Sequence, residues 1–231
     1  MNSRKGLSLA TAALFLVGLM ATASLAKNEA KDVLDSTNVL QTIMKIPEKG
    51  IPPVLLRNAQ AIIIVPDVIK GAFIVGGRHG TGVLLVREES GHWSDPVFVS
   101  LTGGSVGWQV GGTSTDVIMV FKHRKGVESL LKGKFTVGAD AAVAAGPVGR
   151  SAEASTDITL KSEILSYSRS RGLFAGVSLE GAQLQVDEDA TDVYYGKKGL
   201  HAADILAGKG GKGSPATREL KALLNKYSKM E

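Results

Sequence analysis

The chain has 231 residues, of which 44% are hydrophobic and 21% charged, and it contains no cysteine. This hydrophobic share excludes wholesale disorder, and the length allows a substantial core. Without cysteine there is no disulfide framework, cysteine-ligated zinc, iron–sulfur cluster or thiol nucleophile, and the net charge of +5 suits an anionic partner without naming one.

Arg4 and Lys5 precede an uncharged stretch from Leu7 to Ala26 that ends in small residues. Residues 1–26 therefore read as a signal peptide cut after Ala26. A lipoprotein needs a cysteine at that cut, so the expectation is an exported, periplasmic protein beginning at Lys27 and not a lipoprotein. Ala30, Val33, Thr37, Leu40 and Met44 recur at helical spacing within Glu29 to Ile46, before Pro47. The opposite face is acidic as well as basic, which favours packing on a sheet over lying on a membrane. A short helix is expected after Pro52-Pro53, through Arg57.

From Ala61 the pattern turns to strands. Ile62 to Val65 reads as a buried strand closed by Pro66. Phe73–Gly77 and Gly82–Arg87 read as strands joined by a turn at His79-Gly80. Val97–Leu101, Trp108–Gly112 and Thr115–Phe121 follow. A short helix at Val127–Leu131 is bounded by Gly126 and Gly133. Lys134–Gly146 reads as a glycine-punctuated strand, and Ile164–Ser168 and Phe174–Leu179 as the last strands. Asp187–Tyr195 reads as a helix with acids in its first turn, where the dipole favours them. Many short strands with small residues predict an α+β fold, with a curved, mostly antiparallel, barrel-like sheet. The N-terminal amphipathic helix flanks this sheet. The domain spans 27–207, a flexible Gly/Lys linker spans 208–214, and a separate basic amphipathic helix spans 215–231. Ser214 is its expected N-cap and Pro215 its first residue.

Several ordered blocks carry a resemblance. They are Ile62-Ile63-Ile64-Val65-Pro66, Gly71 to Gly82, Gly104 to Gly111, Thr115-Asp116, Gly138-Ala139-Asp140, Gly146 to Arg150, Tyr167 to Gly181 and Tyr194-Tyr195-Gly196. The chain from about Leu34 to Gly196 resembles the SYLF domain family, which in some fungal members is also described as an actin-binding domain. The resemblance implies a non-enzymatic domain that binds phospholipid membranes, with phosphoinositides as the eukaryotic ligands.

No catalytic constellation stands out. His79, His92, His123 and His201 are scattered and lie in no metal-spacing motif. Ser129-Leu130-Leu131-Lys132 matches S-x-x-K, but the companion elements are missing. The Gly208–Ser214 run lacks the G-K-[ST] ending of a phosphate loop, and Asp187, Glu188, Asp189 and Asp192 lack the calcium-loop glycine and glutamate. No cofactor, metal, enzymatic activity or nucleic-acid partner is expected.

Charges inside apolar stretches need water or a partner. Asp116, Asp140 and Glu180, with Arg78, Arg150, Arg169 and Arg171, either form salt bridges across the sheet or line a polar pocket for an anionic headgroup. The other headgroup candidates are Lys122, Arg124, Lys125, Lys132 and Lys134, and Lys197 with Lys198. Arg218, Lys221, Lys226 and Lys229 are the membrane candidates of the C-terminal helix. The expected partner is an anionic phospholipid or membrane surface. The alternative is a protein-interaction or structural module.

Overall fold

The computed structural model describes residues 29–46, 50–71, 76–105, 113–148, 161–170, 173–177, 179–211 and 213–229. The leader 1–26, Phe73–Val75, the strand expected at Trp108–Gly112, Arg150 and Arg171 lie outside these residues. Among the described residues, nine strands form one sheet. They are β1 (Ala61–Gly71), β2 (Gly76–Val86), β3 (Val97–Ser105), β4 (Thr113–Phe121), β5 (Phe135–Thr136), β6 (Val143–Ala145), β7 (Ile164–Ser170), β8 (Leu173–Gly176) and β9 (Gln183–Val186). Their order is β5-β9-β3-β2-β1-β4-β7-β6, and β8 also pairs with β7. The sheet curls into a half-barrel, antiparallel apart from the parallel β6–β7 pair.

The central strand β1 shows why both faces are covered. Its run Ala61–Val65 is continuously apolar, as expected of a strand buried on both sides. Ala61, Ile63 and Val65 face one core, with Leu84, Val99, Met119 and Phe121. Ile62 and Ile64 face the other, with Val83, Leu85, Phe98, Ile118 and Tyr167. Helices α3 (Arg124–Leu131) and α5 (Ala202–Leu206) cover the first face. Helices α1 (residues 29–44), α2 (Pro53–Asn58) and α6 (Pro215–Ser228) cover the second, joined by residues of α4 (Glu188–Tyr195). The N-terminal helix therefore packs on the sheet through Val33, Val39, Leu40 and Ile43. Its buried stripe is rotated from the expected one, because Ala30 is exposed.

Four expectations need correction. Pro66 does not close β1, because a bulge between Val65 and Val68 absorbs it and the strand continues to Gly71. No turn interrupts β2 at His79-Gly80, where residues Gly76 to Leu84 pair without a break with β3. Lys134–Gly146 is two short strands around a turn, with Gly138 at φ 91 and an isolated bridge between Val137 and Ala141. The linker 208–214 is anchored on its described residues. Gly210 is buried against the Tyr195 ring, and Lys209 pairs with Asp204 at 2.9 Å. Strand β9 and helix α5 were not expected.

The end of the chain starts as its sequence dictates. Ser214 accepts the Thr217 N–H and Pro215 opens α6. Leu220, Leu224 and Tyr227 are buried in the outer core, so the helix is an integral layer. Among the described residues, no helix is long and apolar enough to cross a membrane.

Candidate functional site

The β1 bulge shapes one end of the half-barrel. Asp67 sits there at φ 49, a left-handed conformation that aspartate tolerates better than most residues. Its N–H donates to Asp116 Oδ1 at 3.2 Å, and its Oδ1 accepts from Ser114 Oγ at 2.6 Å. Asp116 is buried and lies directly opposite Arg169 in the β4–β7 register. Arg169 Nε donates to Asp116 Oδ2 at 2.8 Å. The expected charge pairing across the sheet is thus realised for this pair, which locks the bulge in place. Beyond it, Ile69 is 63% exposed.

Arg78 occupies the same end, on β2. It lies opposite Lys70 of β1 and Gly103 of β3. Its Nε is shielded from water without a hydrogen-bond partner, and Nη2 only approaches the Gly104 carbonyl at 3.5 Å. Among the described residues, no carboxylate pairs with it. Between Arg78 and Arg169 lie β1 and β4, so three strand spacings of about 4.8 Å separate them. The structure therefore does not join these two arginines in one pocket. Asp140 is exposed and accepts the Thr136 N–H at 2.5 Å as a turn residue, and Glu180 is exposed.

A second cationic surface surrounds α3. Gly126, Val127 and Leu130 face the core, which leaves Arg124 and Lys125 exposed at the start. Lys122 is half-buried just before the helix, while Lys132 and Lys134 are exposed after it. Arg124, Lys125, Lys132 and Lys134 take no carboxylate partner among the described residues. The first turn of α3 contains no acid and its N-cap His123 makes no side-chain cap, so the positive end of the helix adds to this surface.

The remaining candidates lie elsewhere. Lys197 and Lys198 are exposed after α4, and Lys197 Nζ donates to the Lys209 carbonyl at 3.0 Å. A polar cleft of about 680 Å³ opens between α3, β9 and α5, lined by Lys132, Gln185, Asp187, Glu188, Asp189 and His201. Within it His201 Nδ1 meets Glu188 Oε1 at 2.9 Å, a bond that raises the imidazole pKa. On α6, Lys221 pairs with Asp95 at 2.8 Å and Arg218 bonds the Gly213 carbonyl. Lys226 and Lys229 are exposed, but the apolar face of the helix is inside the core and unavailable to a bilayer.

Sequence reasoning missed two residues at the bulged end. Leu173, first residue of β8, is 78% exposed, and with Ile69 it exposes more than any other large apolar side chain among the described residues. The Pro66-Asp67 dipeptide signals irregular backbone just before Ile69, and Gly172 is a turn signal just before Leu173.

Residues 102–227 match the family described as Ysc84: Las17-binding protein actin regulator. This span takes in the C-terminal helix, which the residue blocks above left outside. The chain is 35% identical over 164 residues to SH3 domain-containing YSC84-like protein 1 of Xenopus laevis, covering 71% of this chain and 49% of the relative. It is 38% identical over 152 residues to Protein YSC84 of Saccharomyces cerevisiae, covering 64% and 32%. The human SH3 domain-containing YSC84-like protein 1 is 34% identical over 184 residues, covering 79% and 53%. The chain thus spans between about a third and about a half of the length of these curated relatives.

Proposed function

This chain belongs to the Ysc84 family, and we propose that it is an exported, non-enzymatic module that docks on anionic phospholipid surfaces. The observation that carries this reading is the set of surface cations left without carboxylates. Arg78, Arg124, Lys125, Lys132 and Lys134 have none among the described residues, whereas Arg169 and Lys221 are neutralised within the fold. A cation close to an anionic membrane contributes about 1 kcal/mol, so a few acting together hold a domain of this size at the surface. Guanidinium groups additionally match phosphate oxygens in a fork. The periplasmic setting rests on the leader-like residues 1–26 and supplies anionic lipids other than phosphoinositides.

The test is co-sedimentation of the processed chain, Lys27 to Glu231, which contains every described element. Neutral and anionic liposomes are compared across a salt series. Binding to anionic liposomes alone, weakening as salt rises, supports the reading. Indifference to both liposomes sinks it and favours a second reading, a protein-interaction module. That second reading is supported by the family description, which names Las17 binding and actin regulation. A pull-down from periplasmic extract would then identify the partner.

A further inference from the structure

We infer that the bulged end of the half-barrel is the surface that enters the bilayer, with Ile69 and Leu173 inserting among lipid headgroups and Arg78 meeting a lipid phosphate. This rests on the reading of the protein as a lipid-docking module and assigns the face it uses.

Three independent features converge at that end. The first is apolar exposure. Ile69 is 63% and Leu173 78% exposed, although the large apolar residues of the strands are otherwise almost all buried. The sheet register places both at one end. Ile69 lies opposite Ser114 of β4, the Ser170 hydroxyl of β7 donates to the Ser114 carbonyl at 3.3 Å, and Ser170 lies opposite Leu173 of β8. Side chains alternate across the sheet, so the two residues flank the rim from opposite faces. A rim pressed end-on into headgroups buries both.

The second feature is an unpaired charge. Arg78 is half-buried and has no carboxylate partner among the described residues; its Nη2 makes only a long 3.5 Å contact to the Gly104 carbonyl, which leaves guanidinium donors for a phosphate oxygen. Asp116 is held by Arg169 and Asp67 accepts the Ser114 hydroxyl. The exposed His79 lies opposite Ile69 and adds no negative charge.

The third feature is construction. The end is shaped by a positive-φ aspartate, pinned through two hydrogen bonds, at a bulge in the central strand. Such backbone persists only where its surroundings over-determine it, and it clusters at binding sites. Here it carries Ile69 outward at the tip of β1.

The test uses vesicles of phosphatidylcholine mixed equally with phosphatidylglycerol, and vesicles of phosphatidylcholine alone. Three variants are compared with the parent chain: the pair Ile69→Ser and Leu173→Ser, the single Arg78→Gln, and the pair Lys226→Gln and Lys229→Gln, exposed cations of α6 outside the proposed face. Their unfolding temperatures confirm that each is folded. The rim variants are expected to lose affinity for the anionic vesicles by about tenfold, and the Lys226/Lys229 pair to bind like the parent. Separately, Leu173→Trp should give fluorescence that is quenched by bromine-labelled lipid. Loss confined to the Lys226/Lys229 pair, or an unquenched Leu173→Trp on bound protein, overturns the assignment of this face while leaving lipid docking intact. A parent chain that ignores all vesicles overturns both.

Discussion

Gly82 lies where the β1 bulge brings the backbone of Ile64 and Val65 against β2. A Cβ there would stand 2.1 Å from the Ile64 carbonyl oxygen, and one at Gly80 would stand 2.8 Å from Val65 Cγ1. Both contacts are shorter than packing permits, and at Gly82 the obstacle is backbone that cannot swing aside. Gly82→Ala should therefore destabilise the protein by about 3 kcal/mol in urea unfolding. Arg87 has the opposite role, as a connector. Its guanidinium donates to the carbonyls of Ala59 at 3.0 Å, Leu56 at 2.8 Å and Gly91 at 2.9 Å, reaches Ser228 Oγ at 3.2 Å, and lies over the Trp93 ring. Arg87→Ala should cost about 3 kcal/mol in the same measurement, since it leaves three carbonyls short of a donor. Arg87→Lys should restore only part, because an ammonium does not reproduce the planar fork.

At the scale of elements, α6 distinguishes an integral helix from a detachable arm. Leu224 is fully buried, so Leu224→Ala should lose about 3 kcal/mol of stability. Truncation after Ala207 should lower the melting temperature by uncovering Leu56 and its neighbours. A truncated protein that melts like the parent would contradict this packing. The α4–α5 junction is expected to respond to pH through the His201–Glu188 contact. The His201 pKa is raised above its ordinary 6.5 by the hydrogen bond to Glu188. The folded state holds this proton more tightly, so the junction's contribution is complete below pH 6.5 and is lost as pH rises through the raised value. The difference in melting temperature between the parent and His201→Asn should therefore shrink from pH 5.5 to pH 8.5 on a scale of about two pH units. Helix α1 and the start of α6 were legible because capping and a period of 3.6 are local. Lys134–Gly146 misled because Ala and Gly suit a tight turn as well as a strand.

On the scale of the whole molecule, the two helical layers enclose a sheet whose faces are both buried, so the surfaces left for a partner are its ends and the outer sides of the helices. Docking through unpaired cations predicts a fall in liposome binding from low salt to about 0.15 M, where the Debye length contracts to about 8 Å. Residual binding at that salt, removed by Ile69→Ser with Leu173→Ser, would separate the apolar share from the electrostatic one.

The sequence by itself determined the composition of the core, the positions of most strands, the Ser214 cap of the last helix and the family blocks. Each of these depends on the order of neighbouring residues. Tertiary structure alone decided which charges are free. Asp116 and Arg169 are 53 positions apart and meet only through strand register. Arg78 lies opposite Lys70 and Gly103, where no carboxylate among the described residues reaches it. It also decided that the apolar side of α6 is inside and that Ile69 is outside. An isoleucine in a strand and a leucine in an amphipathic helix carry the same signal in sequence, and burial depends on what the rest of the chain brings against them.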